Sequence, residues 1–105
     1  MSAHTPIEVT FHNEMLEIYR NAKEECSYSA TRFLQMVAND GGLKTAKLLL
    51  ATKAPSDGFT KLWECGRLDL TVENLVIQAK YKDLFTAEEI IVAEERLRAY
   101  GFLKT

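Results

Sequence analysis

Two histidines, His4 and His12, and two cysteines, Cys26 and Cys65, are the side chains of this chain best suited to hold a metal or move a proton near neutral pH. Zinc needs four ligands at short characteristic intervals; these four fit no such pattern, so no metal site is expected. A hydrolytic triad needs a nucleophile, a base and an orienting acid that meet in space. His4 lies near a chain end, and His12 falls on an expected helix, where it reads as a solvated residue. The adjacent carboxylates Glu24-Glu25, Glu88-Glu89 and Glu94-Glu95 diverge by about 100 degrees around a helix and cannot share a substrate proton. GxGxxG, Walker, HExxH, GxSxG and EF-hand patterns are absent, and Gly41-Gly42 lacks the preceding strand of a phosphate-cradling loop. Catalysis would need a cleft uniting Glu64, Arg67 and Asp69 with Tyr28 or His12. The expectation is a noncatalytic protein without a cofactor, in which Arg67 pairs with Asp69 or Glu64 inside the fold.

Binding offers two leads. Residues 27–68 carry six Lys or Arg against three Asp or Glu, a net +3 between flanks of −3 and −2. Within that stretch, SATRFLQMVANDGGLKTAKLLL has the proportions of two helices joined at a glycine turn, as in a helix-turn-helix. On this reading Lys44, Thr45 and Lys47 begin the recognition helix and Arg32 reaches a phosphate. The second lead is apolar surface left over once core faces are assigned: Leu16, Leu48, Ile91 and Val92 fall off their stripes, and the Trp63 indole needs an amphipathic place. A docking patch built from Leu48, Trp63, Ile91 and Val92 would receive a protein partner or a second copy. Protein docking is the leading expectation and nucleic-acid binding the alternative.

The elements that must position these residues read as short helices. Thr5-Pro6-Ile7-Glu8 combines a Thr cap, a Pro at the first helical position and a Glu three residues on. Phe11, Met15, Ile18, Tyr19, Ala22 and Cys26 then share a stripe. Ser27-Tyr28-Ser29 offers caps for a second helix with Ala30, Phe33, Leu34 and Val37 inward, closed by Gly41 in a left-handed conformation. A third helix buries Leu43, Ala46, Leu49 and Leu50 and points Lys44 and Lys47 away. After the turn Pro55-Ser56-Asp57-Gly58, Phe59, Leu62 and Trp63 anchor a fourth helix that ends at Gly66. Asp69 or Thr71 caps a fifth segment through Ile77; its β-branched residues admit a strand, but a lone strand would have no partner, so helix is preferred. Thr86 with Glu89 forms a capping box and Phe85 with Ile90 a staple for the last helix, which a Schellman turn at Gly101-Phe102 stops.

An all-α domain of five or six short helices follows, spanning residues 1–105 with 1–5 flexible. The 105 residues suit one domain, and 47% apolar with 27% charged residues exclude disorder and a coiled-coil rod. A net charge of −2 provides no global field toward nucleic acid or an anionic membrane. The N-terminus lacks a basic start and apolar core of an export signal, and no apolar run approaches the about 20 residues of a membrane span. The two cysteines could form one bridge, but outside any paired framework they read by preference as structural thiols in a reducing cytoplasm.

The runs Tyr28 to Phe33 leading into Gly41-Gly42, Gly58-Phe59-Thr60, Leu62-Trp63-Glu64, Gly66-Arg67-Leu68-Asp69-Leu70 and Leu84-Phe85-Thr86 make a pattern over nearly the whole chain. It resembles a family of small bacterial helical proteins and modules with no assigned reaction. The resemblance implies a bacterial or phage origin and an intracellular place, and carries over no catalytic residue.

Overall fold

A computed structural model describes residues 5–103, so His4 lies outside the described residues. Helix α1 (Pro6–Cys26) starts as expected: Thr5 Oγ1 accepts from the Glu8 amide at 3.3 Å while the Glu8 carboxylate accepts from the Thr5 amide at 3.1 Å. Its end differs from expectation. Ser27 adopts φ 54° and closes α1, its amide bonding to the Ala22 carbonyl, so it is not a cap for the next helix. Helix α2 (Thr31–Asp40) instead begins at Ala30 with no side-chain cap.

Gly41 ends α2 and starts α3 (Gly42–Leu50), so a single residue at φ 87° turns one helix into the next. Ser56 caps α4 (Asp57–Glu64), its Oγ accepting from the Phe59 amide. A short 3-10 turn at Leu68–Leu70 leads to α5 (Val72–Val76), capped by Thr71; the β-branched segment is helical, and among the described residues no strand is present. A second 3-10 stretch, Ala79–Leu84, was not expected. Helix α6 (Ala87–Ala99) has the Thr86–Glu89 capping box and ends in the Schellman pair Phe102 N to Leu97 O and Gly101 N to Arg98 O. Leu103, not the exposed Phe102, makes the accompanying apolar contact.

The core forms two clusters. The larger joins Phe11, Met15, Val37, Ala46, Leu50, Val72, Val76, Tyr81, Phe85 and Ala93. Phe11 presents its ring to Tyr81 and Phe85 in edge contacts at 5.0 and 5.4 Å, which add to simple burial. The smaller cluster is Phe59, Leu68 and Leu97, and Ile77 packs against both. Cys26 and Cys65 are bridged across 39 residues, tying the end of α1 to the end of α4. The expected free thiols are thus corrected: the side chains meet because α1 and α4 end side by side, with Cα atoms 6.0 Å apart. With them goes the argument for a reducing compartment. No helix among the described residues is long and apolar enough to cross a membrane.

Candidate functional site

A cavity of about 610 Å³ lies where the two core clusters meet. Helices α1 to α4 and the capped start of α5 wall it: Ile18, Phe33, Met36, Leu49, Phe59 and Val72 make its lining mostly apolar. Val72 belongs to the larger cluster and Phe59 to the smaller, so the cavity is the seam between them. Burial separates a floor from a rim. Ala22, Phe59, Leu62, Thr71 and Glu73 are nearly inaccessible, whereas Arg32, Leu48, Ala54 and Asp57 are exposed.

Glu73 is the charged group on that floor, only 3% exposed. Burial pushes its carboxyl up from the usual range, and the opposing hydrogen bond from Arg96 reverses this only in part. Arg96 NH1 donates to Glu73 Oε2 at 2.9 Å and to the Leu49 carbonyl at 3.1 Å, and NH2 donates to the Thr52 carbonyl at 2.7 Å. The same guanidinium therefore balances a buried carboxylate and binds carbonyls at and just beyond the end of α3. The helical period hides Arg96: it sits one position from Leu97 on a helix whose other charges are exposed or half-buried, and only a buried acid elsewhere would have signalled it.

Trp63 defines a different feature. The residue is 45% exposed, yet its ring sits edge-on to Tyr100 at 5.3 Å, and Tyr100 meets Phe59 in the same way at 5.0 Å. The indole is held by the smaller core cluster while facing solvent.

Other expected site residues fall as follows. Leu48 stands on the cavity rim, 42% exposed. Ile91 is exposed on α6, and its neighbour Val92 packs against the larger cluster. The docking candidates thus occupy three helices, α3, α4 and α6. In the glycine-turn hairpin, Arg32 and Lys44 are exposed. Lys47 does not point away as expected: its ammonium bonds Glu89 at 2.7 Å and lies 5.1 Å from the centre of the Phe85 ring. Thr45 is fully buried, its hydroxyl lacking a hydrogen-bond partner, so it faces the core.

His12 is half-buried, and its Nδ1 accepts from the Gly42 amide at 2.9 Å, in place of the solvated position expected. Of the residues that a catalytic cleft would unite, Arg67 and Asp69 meet, but the others lie elsewhere. Tyr28 lines the large cavity, Asp69 lines a separate depression beside Glu14 and Lys80, and Glu64 pairs with Lys61 at 3.8 Å. Arg67 takes Asp69 through Nε and NH2, as expected, and adds Glu25 through NH1 at 2.9 Å. The Arg67 hydrogen bonds hold the Asp69 carboxyl below its usual range. Among the described residues no group of three His, Cys, Asp or Glu is placed to hold a metal ion.

No protein-family model matches this chain, and no curated protein or solved structure is significantly similar to it.

Proposed function

We propose that this chain is a noncatalytic helical binding module that docks on a protein partner, or on a second copy of itself, with Trp63 as the anchor. The observation that supports it is the aromatic stack: an indole nearly half open to solvent whose orientation is set by Tyr100 and, behind it, buried Phe59. Tryptophan dominates binding hot spots because it buries a large area at small cost in side-chain freedom. Here that cost is smaller still, since the ring is already held. Phe102, two residues beyond Tyr100, adds a further exposed aromatic ring.

The test compares wild type with Trp63→Ser in two measurements: sedimentation over a wide concentration range, and capture of partners from extracts of the producing cell. Docking requires that wild type self-associates or retains a partner in fixed ratio, and that the variant loses about 2 kcal/mol or more of that affinity at an unchanged urea midpoint. A wild type that stays monomeric and retains nothing overturns the reading.

A further inference from the structure

We propose that the cavity between α1, α2, α3 and α4 is a binding site for a small neutral molecule with an apolar body and a hydrogen-bond donor at one end, the donor meeting the Glu73 carboxylate. This goes beyond the docking role, since Trp63 stands outside the cavity lining.

Size is the first argument. A volume of about 610 Å³ lies within the roughly 300 to 1,000 Å³ of small-molecule sites. A chain of 105 residues has little core to spare, yet here its two clusters, bridged by Ile77, both contribute residues to the wall of an apolar space. The wall carrying α4 is held to α1 by the Cys26–Cys65 bridge and by the Arg67–Glu25 ion pair, so the space is set before anything enters it.

Polarity supplies the second. Apolar walls around a few convergent polar groups are how such sites orient a ligand. Glu73 and Thr71 provide those groups on the floor. The Thr71 hydroxyl is already engaged, donating to the Leu68 carbonyl and accepting from the Asn74 amide. Glu73 is the ionisable acceptor among the floor residues, and Arg96, which is not part of the lining, binds its Oε2.

Charge selects the ligand class. Arg96 already balances Glu73, so no cation is required, and a neutral donor completes the site without leaving a net charge buried. A carboxylate or phosphate driven to the same depth would face Glu73 at low dielectric and be repelled. At the rim Arg32 offers an exposed cation, but Asp57 lies on the same rim and solvent screens both. A fatty acid held head-outward at Arg32 is therefore the competing arrangement, and it makes the opposite prediction.

The experiment titrates the full chain, bridge intact, with decanol and separately with decanoate at neutral pH, following backbone and indole signals in proton–nitrogen correlation spectra. Decanol should shift residues lining the cavity, including Phe33, Leu49 and Glu73, and leave the single Trp63 indole signal in place. Decanoate should bind about tenfold or more weakly, the minimum expected for a like charge brought against a desolvated carboxylate. Glu73→Gln should erase most of that difference; if the variant does not fold, the wild-type comparison decides alone. Decanoate binding as well as decanol, decanol shifting nothing up to its solubility, or shifts centred on Trp63 would each overturn the proposal. None of these outcomes removes capture of a protein at Trp63, so the two readings fail separately.

Discussion

The imidazole of His12 and the backbone of Gly42, thirty residues apart, join α1 to α3: Nδ1 accepts from the Gly42 amide at 2.9 Å. Three features of α3 follow from this contact. Its first amide has a partner although Gly41 offers no capping side chain, its axis rests directly on α1, and position 42 has no room for a Cβ.

A Cβ on residue 42 would stand 2.7 Å from the Cα of His12 and 3.1 Å from Met15 Cγ. Alanine is otherwise the better helix former by about 1 kcal/mol, so Gly42→Ala pits propensity against a backbone clash. The clash wins, because the atom in the way belongs to α1 itself. We expect a loss of about 2 kcal/mol or more in urea unfolding; a variant as stable as wild type would show that α1 and α3 can part freely.

Reducing the Cys26–Cys65 bridge releases a loop closed over 39 residues. Loop-closure entropy puts the loss at about 3 to 4 kcal/mol. Urea unfolding with and without a phosphine reductant measures it, with the Cys26→Ser/Cys65→Ser variant as the permanently open form. Coincident curves would show that the bridge contributes nothing to stability.

Arg96 should prove more costly to lose than Glu73. Arg96→Met strands a buried carboxylate and also uncaps the Leu49 and Thr52 carbonyls, for about 3 to 5 kcal/mol. Glu73→Gln keeps an acceptor for the guanidinium and should cost about 1 to 3 kcal/mol. Equal losses in chemical denaturation would mean that the α3 carbonyls gain nothing from Arg96.

Acid and base should act on different carboxylates. Partial burial raises the Glu89 carboxyl, but the Lys47 ammonium and the Thr86 amide more than offset it and leave it below its usual range; Arg67 does the same for Asp69. Both bind fewer protons folded than unfolded, so their contribution is present above the ordinary carboxylate range and is lost as pH falls through their depressed values. Glu73, raised by burial, has the opposite sign: its contribution is complete below the ordinary range and is lost as pH rises through its raised value. Accordingly, Glu89→Gln should flatten the acid limb of a stability profile by no more than about 1 kcal/mol, while Glu73→Gln should remove the decline on the higher-pH side. A profile unchanged in both variants would contradict these assignments.

Helix starts and stops were legible because caps are local. Thr5 with Glu8, Thr71 and Thr86 with Glu89 each act within three residues, and the Schellman turn at Gly101 within five. Ser27 misled for the same reason: a serine caps a helix start in general, and only the path of the chain shows that this one turns left-handed to end α1. What stayed hidden depends on distant partners. The Cys26–Cys65 bridge, the His12–Gly42 bond, Lys47 on Glu89 and the buried Glu73–Arg96 pair each join residues more than twenty positions apart. Leu48 and Trp63 were legible as surplus apolar residues, but not that one borders a cavity and the other extends an aromatic stack. Alternation and period report which face is inward; they do not report where two packed halves leave a gap.

The 3-10 stretch carrying Tyr81 sets an order on how the molecule can be completed. Tyr81 is wholly buried against Phe11, and its hydroxyl bonds the Glu14 carboxylate across 67 positions of sequence. Helix α1 thus leaves the ribosome well before the residue that seals it. Until residue 81 emerges, Phe11 lacks its principal cover, and the nascent chain presents an open greasy flank that a holding chaperone could grip.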